Sequence, residues 1–176
     1  VHRAHEIGLT DTKLLNQQEL FAMEPNHKLN AMGAIYFACD GHLYPAKLMH
    51  QLIDDLKSKG VKFQMNETVV DFEKGAGKIN AVITNTHKYK ADAVVMATGS
   101  WSRELAEQLN INLPLMPGRG YSITLEDTPY RTNYPAVFIE GRVAITPMDT
   151  NKMRFGGTME ITTTDAAPRI NRVVGI

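Results

Sequence analysis

The run Ala91-Asp92-Ala93-Val94-Val95-Met96-Ala97-Thr98-Gly99-Ser100-Trp101-Ser102 decides how the chain is read. Val94, Val95 and Met96 are apolar without polar alternation, the pattern of a buried strand in a parallel sheet. Small residues follow at once, and Leu105, Ala106 and Leu109 then mark one face of a helix expected from about Ser102 to Leu109. In an open α/β sheet, the carboxyl edge of such a strand is where ligands sit. Ala97, Thr98 and Gly99 leave room for a flat or anionic group to approach the backbone. Amides at the start of the next helix would favour an anionic oxygen. A tight strand-to-helix turn that needs small residues only for packing explains the same residues, and both readings stay open.

Upstream, Pro45 suits a first helical position, because its missing N–H would be unpaired there anyway. Leu48, Met49, Leu52, Ile53 and Leu56 form an apolar stripe, and Gly60 supplies a left-handed stop, so a helix is expected from about Pro45 to Lys59. The segment VKFQMNETVVDFE reads as a strand broken near Asn66 and Glu67. Helix, glycine and strand make the second half of a β-α-β unit. KGAGK is a turn, and KINAVITN with HKYKAD reads as an antiparallel excursion. Nearer the start, Asn16 and Glu19 have capping-box spacing for a short helix from about Gln17 to Met23, stopped by Pro25. AMGAIYFACD is apolar on both faces, which suits a strand covered on two sides.

Downstream of Pro114 the texture becomes β. GYSITL, PAVFIE, RVAITPM and MRFGGTMEI, with turns at Asp127–Pro129, Gly141 and Asp149–Lys152, describe an antiparallel sheet. The expected fold class is therefore mixed α/β and α+β: part of a Rossmann-like half, plus an antiparallel sheet with flanking helices. The expected division is residues 1–44, 45–112 and 113–176, the middle piece being the Rossmann-like one.

Nineteen basic residues balance nineteen acidic ones, so little electrostatic pull toward nucleic acid or anionic membranes is expected. No apolar run approaches the ~20 residues needed to cross a bilayer. The lone Cys39 excludes an internal disulfide and is expected to be a small buried hydrophobe of a reducing compartment. The chain does not start with Met and is expected to begin inside a longer protein.

Among reactive groups, six histidines lie far apart without HxxxH or HxH spacing, so no metal site is expected. Ser100 and Ser102 are outside any G-x-S-x-G elbow. The methionines, Met49 and Met96 included, are read as core packing, and Glu24, Asp40 and Glu160 as solvated or structural. No G-x-G-x-x-G is present, so these residues lack a pyrophosphate cradle.

The order of motifs resembles the superfamily of FAD-dependent D-amino acid dehydrogenases and glycine/sarcosine oxidases. ELFAMEPN looks like its short helix ending in Glu-Pro. DGHLYPAKLMHQL resembles the family's entry into a helix, FQMNETVV the strand whose valine touches adenine, and ADAVVMATGSWS the segment that lies against FAD. PGRGYSIT, RVAITPMD and MRFGGTMEI resemble successive strands of the substrate sheet, closest to the D-amino acid dehydrogenase branch. The likeness runs from about residue 10 to about residue 170.

The resemblance implies an internal piece of a cytoplasmic flavoprotein, free or peripheral to the inner membrane. Its FAD would need segments absent from these residues, its substrate would be a small amino acid or amine, and its electron acceptor is left open. It implies that Val69 contacts adenine through its backbone, that Ala97, Thr98, Gly99 and Trp101 line FAD, and that Arg119 and Gly120 lead into a strand passing the flavin. Tyr121, Ile145, Met148 and Thr158 would lie on or near the face covering the substrate. Two departures stand out: the N-terminal dinucleotide fingerprint and the C-terminal glycine–x–arginine–proline segment are both missing. Ala144 also replaces a tyrosine found in glycine oxidases, so the substrate does not carry across. C–N oxidation by hydride transfer to flavin is the expected chemistry, and no acid–base residue here is demanded by it. A hydroxy-acid or glycerol-phosphate dehydrogenase would need a base, and a non-catalytic fragment or binding domain holding no flavin is the other alternative.

Overall fold

The computed structural model describes all 176 residues, Val1 to Ile176. They form two compact units, each assembled from separate stretches of chain: Val1–Met49, Gly120–Met159 and Arg169–Ile176 in one, His50–Arg119 and Glu160–Pro168 in the other. The structure is mixed α/β, with its strand pairs antiparallel wherever a register is defined.

In the first unit, α1 (His2–Glu6) leads to β1 (Lys13–Asn16), which pairs antiparallel with β2 (Gly33–Tyr36). Between them lies α2 (Gln17–Met23), fixed at its start by the expected capping box. The Asn16 side chain accepts from the Glu19 N–H, and the Glu19 carboxylate accepts from the Asn16 N–H. Farther along come β6 (Gly118–Leu125, of this unit from Gly120), β7 (Ala136–Phe138), β8 (Val143–Met148) and β9 (Lys152–Ile161, of this unit to Met159), in the spatial order β6-β9-β8-β7. Alternate residues of β8 turn inward, so Val143 and Ile145 pack with Met153, with Phe155 and Ile176 against them. The short α5 (Ile170–Val174) brings Ile176 to that cluster; nothing in the pattern of the last residues signals it.

α3 (Pro45–Ser58) leads into the second unit and ends at Gly60, whose φ is +86°. Next, β3 (Val69–Gly75), β4 (Lys78–Thr84) and β5 (Lys88–Lys90) form a three-stranded antiparallel sheet. The β3–β4 turn places Ala76 and Gly77 at positive φ, as a two-residue type I′ connection requires. A 3-10 turn (Gly99–Trp101) then runs into α4 (Ser102–Gln108). The Lys74 ammonium donates to the Gln108 carbonyl, tying β3 to the carboxyl end of α4. Phe72, Ala81 and Ala106 are the buried apolar residues of this unit.

Several expectations are overturned. The apolar run Val94–Met96 belongs to no ladder, and Val95 is 87% exposed. An apolar run specifies a preference for burial, but a strand also needs a hydrogen-bonding neighbour, and none of the described strands pairs with this one. The same holds for residues 61–68, so the strand expected from Val61 starts only at Val69. β2 is not covered on both sides, since Ile35 is exposed. Cys39 is exposed rather than buried, and Met49 on the α3 stripe is 53% exposed, together with Leu48, Leu52 and Leu56. The helix expected from about Ser102 does begin there, as α4 (Ser102–Gln108), with the 3-10 turn Gly99–Trp101 before it.

Candidate functional site

The segment that decided the sequence reading borders a cleft of about 180 Å³ in the second unit, lined by Ser100, Trp101, Pro117, Gly118, Arg119 and the threonines Thr162–Thr164. Two stretches far apart in sequence meet here because the Thr162 N–H donates to the Pro117 carbonyl at 3.1 Å, where β6 begins and β9 has just ended. The other wall is the 3-10 turn. Its geometry is held by the Trp101 N–H donating to the Thr98 carbonyl and by a 2.9 Å bond between the Thr98 and Ser102 hydroxyls. Gly99 sits at φ +54°, a left-handed conformation that strains any side chain, and a Cβ there would meet nothing within 4 Å. The approach to the turn is therefore open.

Arg119 supplies the charge. Its Nη1 is buried without a hydrogen-bond partner, an unusual state for a guanidinium nitrogen and one that an anionic or carbonyl oxygen in the cleft would relieve. Asp165 stands near enough to feel the same cation. The hydroxyl of Thr163 does most to lower its carboxyl below the usual range, followed by a bond to its own backbone; burial opposes them, and the Arg119 charge adds the smallest share. Hydroxyls from Ser100 and the threonines complete a set of neutral donors around one cation. That donor set suits an oxygen-rich anion, and the flat, exposed indole of Trp101 suits a ring or sugar edge. The cleft is smaller than the ~300 Å³ or more of an ordinary ligand pocket, so it fits part of a dinucleotide rather than a whole one.

Of the residues singled out from the sequence, the cleft brings together Trp101 and Arg119, with Ala97, Thr98 and Gly99 leading up to it. Val69 begins β3, away from the cleft lining, and pairs with Thr84. Gly120 and Tyr121 continue β6 in the first unit, where the Tyr121 hydroxyl accepts from the Arg169 N–H. Ile145 is 5% exposed and packs with Val143 and Met153 in the core of the first unit. Met148 is half-buried at the end of β8. Thr158 adopts φ +49° and donates its hydroxyl to the Arg172 carbonyl. Ser100 and Thr162–Thr164 were missed. A run of hydroxyl residues after the apolar–glycine pattern of β9 is a faint signal, and only the pairing of Thr162 with Pro117 gives it meaning.

Comparison with known proteins bears on what such a cleft serves. The family model described as FAD dependent oxidoreductase matches residues 1–174. The chain belongs to that family. A D-amino acid dehydrogenase of Neisseria meningitidis serogroup C is 39% identical over 110 residues, 60% of this chain and 25% of that protein. One from Helicobacter pylori is 30% identical over 157 residues, 88% of this chain and 37% of that protein. The chain thus spans well under half the length of these curated relatives. Among solved structures, glycine oxidase from Geobacillus kaustophilus superposes with a TM-score of 0.84 at 24% identity, covering 98% of this chain and 46% of that one. L-proline dehydrogenase from P. horikoshii gives the same TM-score at 20% identity, covering 97% and 47%. These likenesses establish the fold, and the mixed α/β architecture with antiparallel sheets is the one they share. No helix is long and apolar enough to cross a membrane.

Proposed function

We propose that the protein carrying this chain oxidises the C–N bond of an amino acid, a D-amino acid foremost, with FAD as its redox cofactor. The observation that carries the reading is the buried, unpartnered Arg119 Nη1 in a cleft bounded by Trp101, within a chain of the FAD-dependent oxidoreductase family. The names of the curated relatives, D-amino acid dehydrogenases, support the substrate class.

In this reading the second unit contributes to the FAD-binding half and the first unit to the substrate half. Ala97, Thr98 and Gly99 keep side chains out of the cofactor's path, and the Trp101 ring covers it. Arg119 offers its guanidinium to an anionic or carbonyl oxygen, with Gly120 continuing the strand. Val69 meets the adenine through its backbone. Bound there, FAD supplies the hydride acceptor for C–N oxidation. Tyr121, Met148 and Thr158 belong to the face that orients the substrate and keeps water away. No residue of this chain is assigned a proton-transfer role. The phosphate grip comes from sequence outside these residues, which hold no G-x-G-x-x-G.

The test is anaerobic reduction of the purified full-length protein, followed by loss of flavin colour. Bleaching by D-amino acids is the expected result. A protein that bleaches with glycerol phosphate or hydroxy acids and with no amine would overturn the substrate class, and one that takes up no FAD would overturn the cofactor.

A further inference from the structure

Outside the cleft, the densest polar cluster of the second unit surrounds Glu67. Its carboxylate is 11% exposed and accepts from the Thr84 hydroxyl at 2.6 Å and the Tyr89 hydroxyl at 2.7 Å, while His87 Nδ1 stands 3.1 Å away. Thr84 is itself fixed: its hydroxyl accepts from the N–H groups of Thr86 and His87. The next residue, Thr68, is held by a reciprocal pair, its N–H donating to the Asn85 side chain at 3.0 Å and its carbonyl accepting from the Asn85 N–H at 2.9 Å. The β4–β5 turn thus grips two consecutive residues from several directions.

This grip is applied to a segment that lacks regular pairing of its own. Asn66 sits at φ +62°, residues 61–68 lie outside any ladder, and the β3–β4 register slips between Val69 and Asp71, leaving Val70 as a bulge. Only Val69 lies between the gripped pair and the bulge. A strand that merely needed to join the hairpin would do so through ladder bonds, as Phe72 to Gly75 do. Here side chains do that work over the residues that set where Val69 stands.

We infer that Glu67 is a positioning residue: by gathering Thr84, Tyr89 and His87 on one carboxylate, it fixes the backbone at Val69 against the adenine end of the cofactor. The inference rests on the proposed FAD reading and on Val69 as its adenine contact. Glu67 itself touches no reacting atom. Its carboxyl is held at about 2, mainly by the Thr84 and Tyr89 hydroxyls, so it remains an acceptor for all its donors across the working pH range.

The test measures apo-protein affinity for FAD, ADP and FMN in the full-length protein and in Glu67→Ala, Glu67→Gln, Thr84→Val and Tyr89→Phe. Glu67→Ala is expected to weaken FAD and ADP by about tenfold, the equivalent of one lost charge-assisted hydrogen bond. FMN, which has no adenine, should bind as before, and kcat at saturating FAD should be unchanged. Gln, which keeps an acceptor oxygen, should restore part of the loss. Thr84→Val and Tyr89→Phe, which each remove one donor, decide the matter by the same criteria if the alanine variant does not fold. Unchanged ADP affinity in these variants, or FMN weakened as much as ADP, overturns the inference while leaving the FAD reading intact. Absence of FAD uptake by the unsubstituted protein overturns both.

Discussion

The Glu24 carboxylate accepts the backbone N–H of Asn133, 109 residues away in sequence, through both oxygens at 2.8 and 2.9 Å. It also accepts the Tyr134 N–H at 2.9 Å, while the Asn133 side chain donates back to the Met23 carbonyl. Glu24 is 5% exposed, so the end of α2 is fastened to the loop before β7 by a buried ionic acceptor. Replacing it with Ala removes the acceptor shared by the Asn133 and Tyr134 N–H groups and should cost about 2 kcal/mol. Urea unfolding of the full-length protein checks this, and a loss below about 1 kcal/mol would show that water replaces the carboxylate without penalty.

A second prediction concerns Gly33 in β2. A Cβ built there lies 2.3 Å from the Leu15 carbonyl oxygen on the paired strand, a backbone atom with no freedom to turn aside. Gly33→Ala should therefore push β1 and β2 apart at the Asn16–Gly33 pair and destabilise the first unit by about 2 kcal/mol. Faster amide exchange at Leu15 and Asn16, with exchange in β3–β5 unaltered, is the expected pattern.

What could be read from the sequence was local. Asn16 and Glu19 are three apart and form their box with no help from elsewhere, and the Pro45-to-Gly60 helix announces both its ends. Residues whose state depends on a remote partner were misread. Val95 has the composition of a buried strand and is nevertheless exposed, because burial and pairing must come from another segment. Lys13–Asn16 is too short to signal a strand and becomes one only by meeting Gly33–Tyr36. The candidate site divides the same way. Arg119 and Trp101 sit in recognisable motifs, whereas Thr162–Thr164 reach the cleft only through the bond between Thr162 and Pro117.

Acid sensitivity should trace the Glu67 cluster. The Thr84 hydroxyl, then the Tyr89 hydroxyl, and more weakly Thr86 and the His87 charge lower the Glu67 carboxyl from 4.5 to about 2 against the cost of burial. A depressed carboxyl contributes stability that is complete above the unfolded value and is lost as pH falls through the folded one. The β3–β5 sheet should therefore keep this contribution down to about pH 4.5 and lose it progressively toward pH 2. Carbon-detected NMR titration of the Glu67 carboxyl gives the midpoint directly, and a midpoint near 4.5 would mean that the hydroxyls do not hold it in solution. The partner moves the other way: hydrogen bonding to Glu67 raises the Tyr89 phenol above 10.0, so that bond should survive until strongly alkaline pH.

Gly99 separates stability from binding. Its φ of +54° makes Gly99→Ala cost about 1 kcal/mol of backbone strain. Nothing lies within 4 Å of the new methyl, however, so no packing is disturbed. If Ala97–Gly99 are small in order to let the cofactor approach, the methyl occupies the space that FAD needs. FAD affinity should then fall by about tenfold or more while the melting temperature of the apo-protein drops by only a few degrees. Arg119→Met should weaken FAD comparably by removing the cation, and with no strain to lower the melting temperature by that route. Fluorescence titration of the apo-protein with FAD, set beside its thermal unfolding, distinguishes the cases. An alanine at position 99 that lowers stability and leaves FAD affinity unchanged would place the cofactor's path away from this turn.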